Sequence, residues 1–334
     1  MEILSSNNYV STENMQQDFA GIKDAISLPS SGTAVEFQVG DILISNIRPY
    51  LKKIWLSDRN GGCSTDVLAL RTKNEQVDSS FLYCCLANDD FVSYVMSGAK
   101  GVKMPRGDKQ HILSYNLGVP SVQEQRRIAE LVSLLEKRIS AQSKIIEEQE
   151  TLLRSLRHKI YSRVQAQSQC TIADVLCYEQ PTKYLVTDTD YTDDDSQVPV
   201  LTANKAFILG YTTENFGIYD KGPCIILDDF TLDCKYVDFK FKVKSSAIKI
   251  LRAKAKTNLR FIFEYFRFLE LNTTEHRRHY IAEIEPMSIL LPSNEEIDRI
   301  ARLFTALDER LETARKELKI LESQKMYMLQ KMFI

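Results

Sequence analysis

Two stretches of the chain decide its fold. Residues 120–161 read PSVQEQRRIAELVSLLEKRISAQSKIIEEQETLLRSLRHKIY, and residues 292–333 read PSNEEIDRIARLFTALDERLETARKELKILESQKMYMLQKMF. They align without a gap at an offset of 172 residues, so that Ile128 meets Ile300. A weaker match continues upstream of both stretches. Self-similarity at a fixed offset indicates that a structural unit occurs twice in this chain.

Within each copy, apolar residues recur alternately four and three residues apart, which is the pattern of a coiled coil. A helix of about 40 residues is about 60 Å long, and one small domain cannot bury it. Each helix therefore needs a partner, and the other copy is the obvious one. The predicted helix-pair or subunit interface consists of Ile128, Val132, Leu135, Ile139, Ile146, Leu153, Leu156, Ile300, Phe304, Leu307, Leu311, Leu318, Leu321 and Met328.

We expect the two helices to pair antiparallel, because the first must lead the chain into a second domain and the second must return to pack against it. Gln142 interrupts the first apolar stripe and would then lie opposite the region from Leu321 to Lys325. Polar residues in such a seam commonly fix register and orientation. The alternative is that each stripe packs on its own domain.

The remaining halves are both mixed in secondary structure. In the first half, residues 35–56 contain two apolar runs around a polar loop, and residues 79–98 predict one helix, with Ser79 or Ser80 as N-cap and Gly98 as its end. The second half repeats the order of strands followed by a helix at 258–272. The predicted fold is α+β: two mixed α/β domains, each followed by a long helix. The predicted boundaries are 1–119, 120–165, 166–291 and 292–334.

Composition narrows the function classes. The net charge of −2 argues against a protein that coats DNA without regard to sequence. No stretch approaches the roughly 20 apolar residues of a membrane helix, and the N-terminus does not have the pattern of a signal peptide. The seven cysteines include no Cys-x-x-Cys pair, which fits reduced thiols. We therefore expect a cytoplasmic protein without a membrane segment.

Patterns typical of catalysis are not found in the sequence. It has no phosphate-binding loop, dinucleotide-binding glycine motif, zinc-protease motif or nucleophile elbow. Asp228-Asp229 resembles a nuclease carboxylate pair, but the expected Glu-x-Lys does not follow. His276 with His279, and the acidic tract 188–195, are weak candidates for metal ligands. The sequence therefore predicts a non-catalytic protein.

Hydrogen-bond donors suited to nucleic acid cluster in the loops. Arginine can bind guanine and asparagine can bind adenine through two hydrogen bonds, while lysine and arginine also bind phosphates. A solvated surface is the alternative for any single cluster, but clusters recur in both halves. The predicted DNA-binding residues are Ser45, Asn46, Arg48, Tyr50, Lys52, Lys53, Lys103, Arg106, Lys109, Thr202, Asn204, Lys205, Thr231, Lys235, Arg277 and Arg278.

With these segments in view, the chain resembles the specificity subunit of type I restriction-modification systems. In the first half the resemblance rests on YVSTENM at 9–15, GDILISNIRPYLKKIW at 40–55, GVKMPRGDK at 101–109 and the helix start PSVQEQRRIA at 120–129. In the second half it rests on YEQPTKYLV at 178–186, VLTANKAFILGYT at 200–212 and ILDDFT at 226–231. The resemblance thus covers nearly the whole chain.

This resemblance implies a function. Each globular domain would be a target-recognition domain that reads one half of a bipartite site in double-stranded DNA, and the paired helices would set the spacing. Two methyltransferase subunits and motor-nuclease restriction subunits would bind S-adenosylmethionine, ATP and Mg, and this chain would bind no cofactor. Few residues precede Tyr9, so we expect the first domain to lack an edge strand. The alternatives are a coiled-coil scaffold joining two protein-binding domains, and a nuclease or methyltransferase.

Overall fold

A computed structural model describes residues 4–29, 34–203, 207–254, 257–275 and 277–332. The chain divides into two compact units: unit 1 consists of Met1–Lys144 with Lys316–Ile334, and unit 2 consists of Ile145–Arg315. Each unit combines one globular part with a segment of each of the two long helices.

Unit 1 contains two three-stranded sheets. Their strands are β1 (Tyr9–Val10), β2 (Val35–Phe37), β3 (Ile42–Ser45), β4 (Ile54–Leu56), β5 (Gly61–Cys63) and β6 (Val67–Leu70). The first sheet has the order β1-β5-β2, with β1 and β5 parallel, and the second is antiparallel with the order β4-β3-β6.

Strand β3 is the centre of unit 1. Leu43 packs into a cluster with Phe37 and Trp55, whereas Ile42 and Ile44 on the opposite face pack against helical residues. Side chains of a strand point alternately to opposite faces, so a strand that is buried on both faces reads as a continuous apolar run. Because β3 is fixed in this way, the polar loop that follows it starts from a rigid position.

Three short helices follow: α1 (Ser79–Leu86), α2 (Asp89–Ser97) and α3 (Lys109–Leu113). The single helix predicted for 79–98 is wrong, because the chain breaks at Ala87–Asn88 and Asn88 caps α2 by accepting the backbone N–H of Phe91 at 2.9 Å. The N-cap of α1 is Asp78 rather than either serine. Gly98 ends α2 as predicted.

Long helix α4 (Val122–Tyr161) follows unit 1's small helices and continues into unit 2. Unit 2 then contains β7 (Ser168–Thr171), the single-turn α5 (Ile172–Val175), β8 (Leu176–Glu179), β9 (Val198–Leu201), β10 (Ile208–Thr212), β11 (Cys224–Asp228), β12 (Cys234–Val237), β13 (Lys242–Val243), β14 (Ile248–Ala253), α6 (Leu259–Leu269), a π-helical turn (Tyr280–Ile284) and β15 (Ser288–Leu291). The second long helix, α7, spans Asn294–Met332.

The sheets of unit 2 have the orders β12-β11-β14-β8, β10-β9-β13 and β15-β7. Strand β11 takes the place of β3, since Ile225 and Leu227 pack into the cluster that contains α6 while Ile226 packs into the opposite cluster. The two halves differ at one edge. Sheet β4-β3-β6 has three strands, and no strand in the described part of unit 1 corresponds to β8.

Both long helices begin in the same way. The Ser121 hydroxyl accepts the backbone N–H of Glu124 at 3.3 Å, and the Ser293 hydroxyl accepts that of Glu296 at 3.2 Å. A serine N-cap satisfies one of the N–H groups that a helix start leaves without a partner. The repeat therefore fixes the same helix start twice.

The helices pair antiparallel within each unit, as predicted. In unit 1, Glu136 pairs with Lys325 at 2.7 Å, and further along α4 Gln142 donates to Glu317 at 3.2 Å. In unit 2, Glu150 pairs with Arg315 at 2.6 Å. The predicted register is wrong by about one turn, because Gln142 lies opposite Glu317 rather than the Leu321–Lys325 region.

The apolar stripes are largely shielded from solvent. All fourteen residues of the predicted interface are buried or half-buried. The alternative packing also holds in part: Leu153, Ile300 and Phe304 join the core of unit 2 that contains α6. In unit 1, Val132 packs with Leu329 and Cys84. The stripes therefore join the two helices to each other, and within each unit they attach the helix segments to the globular part of that unit.

Gln125 anchors α4 to unit 1 and provides a test of that attachment. It is fully buried, its Nε2 donates to the carbonyls of Gln76 (2.8 Å) and Pro120 (2.9 Å), and its Oε1 accepts the N–H of Asp78 (2.8 Å). Gln125→Ala leaves these groups without partners, and we expect the free energy of unfolding to fall by about 2–4 kcal/mol.

Urea unfolding followed by Trp55 fluorescence measures this effect, because Trp55 is the only tryptophan and lies in unit 1. The control is Gln123→Ala, whose side chain is exposed two residues earlier on the same helix. Equal effects of the two substitutions would contradict the anchoring role of Gln125.

Across the described residues, no helix is both long and apolar enough to cross a membrane.

Candidate nucleic-acid interface

The loop that follows β3 has an unusual backbone. Arg48 (φ 51°) and Lys52 (φ 55°) both adopt the left-handed conformation, on either side of a 3-10 turn at Pro49–Leu51. Residues other than glycine rarely adopt this conformation, and such strained positions cluster at functional sites. The strain supports a functional role for the loop that the sequence had indicated by its polar residues.

A hairpin from Lys100 to Arg106 packs beside this loop. The backbones of Lys100 and Arg106 exchange two N–H···O bonds of 2.9 Å each, which close the hairpin. The N–H of Arg48 donates to the carbonyl of Pro105 at 2.8 Å, and the N–H of Gly107 donates to that of Asn46 at 3.1 Å. Two clusters that lie more than 45 residues apart in the sequence therefore form one surface.

The predicted residues of unit 1 divide into two groups. Ser45 and Asn46 are buried, and the Ser45 hydroxyl donates to the Ile47 carbonyl at 3.0 Å, so these side chains lie inside the loop. Lys52 and Lys53 are half-buried: Lys52 pairs with Asp89 at 2.7 Å, and Lys53 donates to the Thr12 carbonyl at 2.6 Å. The exposed members are Arg48, Tyr50, Lys103, Arg106 and Lys109. Contact of any of them with DNA stays a prediction.

The hairpin carries more positive than negative charge. Arg106 pairs with Asp66 and Lys100 with Asp108, both at 2.9 Å. Hydrogen bonds from Lys100 and from the backbone N–H of His111 lower the pKa of Asp108 to about 2, so this carboxylate stays charged at neutral pH. Among the described residues, Lys103 and Lys109 have no ion-pair partner, and both ammonium groups can therefore bind an external anion such as a phosphate.

Unit 2 brings its own predicted residues together around Asp229. The Asp229 carboxylate accepts the backbone N–H groups of His279 (3.1 Å) and Tyr280 (2.8 Å) and pairs with the buried Lys249 at 3.1 Å. Asp228 caps the adjacent turn by accepting the N–H of Phe230 at 2.9 Å. Both carboxylates thus have structural partners, and they join the turn at Thr231 to the segment that contains Arg277 and Arg278.

The same backbone junction occurs in both units. In unit 1, Asn46 donates its N–H to the Asp66 carbonyl at 2.8 Å and accepts that of Gly107 at 3.1 Å. In unit 2, Asp229 donates to the Ala247 carbonyl at 3.0 Å and accepts the N–H of His279 at 3.1 Å. Gly107 and His279 are related by the 172-residue offset. The repeat therefore positions a strand end and a later basic segment next to each other twice.

Glycine at position 107 lets the two segments of the unit 1 junction approach closely. A Cβ atom on Gly107 would lie 2.8 Å from Asn46 Oδ1 and 3.0 Å from Ile112 Cδ1, closer than side-chain atoms approach one another. In unit 2 the same position carries His279, whose ring contacts Thr273, Glu275 and Glu283. The sequence-based reasoning missed this junction, because a glycine and a histidine at equivalent positions give no visible match.

The other predicted residues of unit 2 have mixed surroundings. Thr202 and Lys235 are half-buried, whereas Thr231 and Arg278 are exposed. Arg277 is exposed and forms ion pairs with Glu275 and Glu283. Asn204, Lys205 and His276 lie outside the described residues. In the part of the chain that is described, no group of three or more His, Cys, Asp or Glu side chains could hold a metal ion.

His279 makes the junction of unit 2 sensitive to pH. A hydrogen bond to the Glu283 carboxylate at 2.9 Å raises the pKa of His279 above its ordinary value of 6.5. A histidine whose pKa rises on folding stabilises the folded state below its ordinary pKa, and this contribution disappears as the pH rises through the raised value. We expect unit 2 to unfold at lower urea concentration at pH 8.5 than at pH 6.

Circular dichroism of wild type and His279→Gln at both pH values measures this effect, since glutamine keeps a donor but cannot titrate. The variant should lose most of the difference between the two pH values. An equal difference in both proteins would show that another group is responsible.

Part of the chain matches a known family model and known proteins. Residues 7–151 match the family model described as type I restriction modification DNA specificity domain. The specificity subunit of the type I restriction enzyme EcoR124I/EcoR124II from Escherichia coli is 42% identical over 156 residues, which cover 42% of this chain and 38% of that protein. The EcoDI specificity subunit, also from E. coli, is 27% identical over 100 residues, or 30% of this chain and 22% of that protein. The chain thus spans less than half the length of these relatives.

Similarity in fold to solved structures covers both halves of the chain. The crystal structure of a type I restriction-modification S subunit from M. genitalium superposes with a TM-score of 0.68 at 14% identity, covering 100% of this chain and 92% of that one. A chain from a structural study of complex assembly and conformational transition in a type I system gives a TM-score of 0.56 at 16% identity, covering 97% and 90%. At these identities the likeness shows the fold alone, and the α+β architecture predicted from the sequence is confirmed.

Proposed function

We propose that the chain belongs to the type I restriction-modification specificity family, whose model matches residues 7–151, and that it is the DNA-recognition subunit of such a complex. Unit 1 and unit 2 each read one half of a bipartite target. The observation that carries this proposal is the junction that occurs twice, at Asn46–Gly107 and at Asp229–His279, since each copy holds the end of a central strand next to a later segment that carries exposed cationic side chains.

Different side chains of this surface would contact the phosphates and the bases. Lys103 and Lys109 have no ion-pair partner in the described parts of the chain and suit the DNA backbone, whereas Arg48, Arg106 and Arg278 have the planar donor geometry that guanine requires. A protein that reads bases through two small surfaces needs no large net charge, which is compatible with the net charge of −2.

The proposal assigns catalysis to partner subunits. Two methyltransferase subunits would dock on the long helices and motor-nuclease subunits would join that core, with S-adenosylmethionine, ATP and Mg bound in those partners. The outward faces of the helices support a docking role, because they expose the large apolar side chains Leu131, Leu134, Leu152, Ile320 and Tyr327. Exposed apolar patches on helices commonly mark protein–protein contacts.

The test is to co-express the chain with a type I methyltransferase subunit, to purify any complex, and to map methylated bases on genomic DNA. A split, asymmetric motif, of which one half changes when residues 1–119 are exchanged for those of a relative, is the expected result. A stable complex without any methylated motif would contradict sequence recognition.

A coiled-coil scaffold that joins two protein-binding domains is the second candidate, and the exposed helix faces favour it. It predicts that charge reversal at Arg48, Lys103 and Arg278 leaves the activity of the complex unchanged. The recognition subunit predicts loss of methylation in the same variants.

A further inference from the structure

The tip of the Lys100–Arg106 hairpin exposes two large apolar side chains. Val102 is fully exposed, and half of the Met104 surface is exposed. Single apolar residues on a surface are common and need no explanation. These two lie two residues apart at the end of one protruding hairpin, with Lys103 between them, and neither belongs to any hydrophobic cluster of the described residues.

The tip is held in this position. Two backbone hydrogen bonds close the hairpin, and the N–H of Arg48 braces it through the carbonyl of Pro105, which is itself buried. Gly101 turns the chain with φ 96°, a conformation that few other residues adopt. The apolar side chains therefore cannot fold back onto the core of unit 1 without breaking these bonds.

The surroundings of the tip indicate what covers it. Lys103 and Lys109 lack ion-pair partners among the described residues, and Arg48 is exposed on the adjoining loop. Lysine is depleted at the centres of protein–protein interfaces, so this combination is a poor match for a protein partner. It matches DNA, in which phosphates flank a groove that contains one apolar substituent, the C5-methyl group of thymine.

We propose that Val102 and Met104 enter the major groove and contact one or two thymine methyl groups, and so set the base preference at one or two positions of the half-site that unit 1 reads. This inference rests on the proposed function and extends it to a specificity element. Covering one methyl group contributes roughly as much as burying one CH₂ group, which corresponds to about a fourfold change in affinity. One such methyl group gives about fourfold, and two give about fifteenfold, in favour of thymine.

The experiment selects bound sequences from a random duplex library with the full chain. The test variant is Val102→Ser/Met104→Ser. The matched control is Ile26→Ser/Leu28→Ser, which removes another exposed apolar pair of the same spacing in unit 1. Trp55 fluorescence during urea unfolding verifies that all three proteins fold alike. If the double variant does not fold, the single variant Met104→Ser replaces it in the test.

The wild type and the control are expected to select the same bipartite motif. The test variant should lose its preference for thymine at one or two positions of one half and bind the wild-type motif about four- to fifteenfold more weakly. Replacing those thymines by deoxyuridine, which lacks the methyl group, should weaken the wild type by the same factor and leave the variant unaffected.

Other outcomes overturn the inference in distinguishable ways. If the variant selects the unchanged motif, or if deoxyuridine leaves the binding of the wild type unchanged, the tip is not a specificity element although the chain still recognises DNA. An equal loss of affinity for every sequence would mean that the tip contacts only the backbone. If the wild type selects no motif, the proposed function fails and the inference fails with it.

Discussion

Replacing Glu264 by alanine is expected to destabilise unit 2 by about 3–5 kcal/mol, the largest stability effect of any substitution proposed for this chain. Glu264 lies on α6 and is fully buried. Its two carboxylate oxygens accept the Nε of Arg157 on α4 at 2.7 Å and the Nη2 of Arg260 at 2.8 Å. Arg260 also pairs with Asp308 on α7, so one buried carboxylate joins three helices.

The reason for so large an effect is the charge that remains. Arg157 is buried as well, and its Nη2 has no hydrogen-bond partner among the described residues. Without Glu264, its guanidinium would be an uncompensated charge in an apolar core that includes Phe304, over whose ring Arg157 stacks at 5.7 Å.

Urea unfolding followed by circular dichroism measures the loss, while Trp55 fluorescence follows unit 1 in the same samples. The control is Arg299→Ala, which breaks an exposed pair with Glu296 on α7 and should cost no more than about 0.5 kcal/mol. The double variant Arg157→Met/Glu264→Leu should be more stable than Glu264→Ala, because it removes both charges. A loss below about 1 kcal/mol in Glu264→Ala would contradict this account.

Reversing two charges on the hairpin surface is expected to have the largest effect on DNA binding. Lys103→Glu/Lys109→Glu should weaken binding about 100-fold, taking roughly 1.4 kcal/mol for each lost contact between a cation and a phosphate. Because each contact releases condensed counterions, the slope of log affinity against log salt should also become less steep by about 2.

Fluorescence anisotropy with a duplex that carries the selected motif, at several salt concentrations, measures both quantities. The control is Lys73→Glu/Lys137→Glu, which makes the same change in net charge at exposed lysines on the loop before α1 and on α4. An equal loss in test and control variants would mean that net charge alone, and not the hairpin surface, governs binding.

Much of the architecture could be predicted from local sequence. The alternating spacing from Ile128 to Leu156 and from Ile300 to Met328 indicated both long helices, α4 and α7. The antiparallel orientation followed from chain connectivity. The clusters at 45–53 and 100–109 were found separately, by their donors, without any indication that they adjoin.

The helix predicted for 79–98 shows where local reasoning fails. Its apolar residues have suitable spacing, but Asn88 competes by capping a new helix, so that two short helices pack in place of one. The predicted register of the helix pair was wrong for a related reason. Gln142 was placed by counting along one stripe, whereas its position depends on where both globular parts hold the helices.

The sequence by itself determined the repeat, the two long helices, and the residue types available for binding DNA, because these depend on spacing along the chain. Tertiary structure alone decided that Asn46 meets Gly107, that Asp229 meets His279, and that Glu264 compensates Arg157. These contacts join residues 50 to 107 positions apart. Backbone hydrogen bonds and buried charges carry no periodic pattern, so only the packed core specifies which groups become partners.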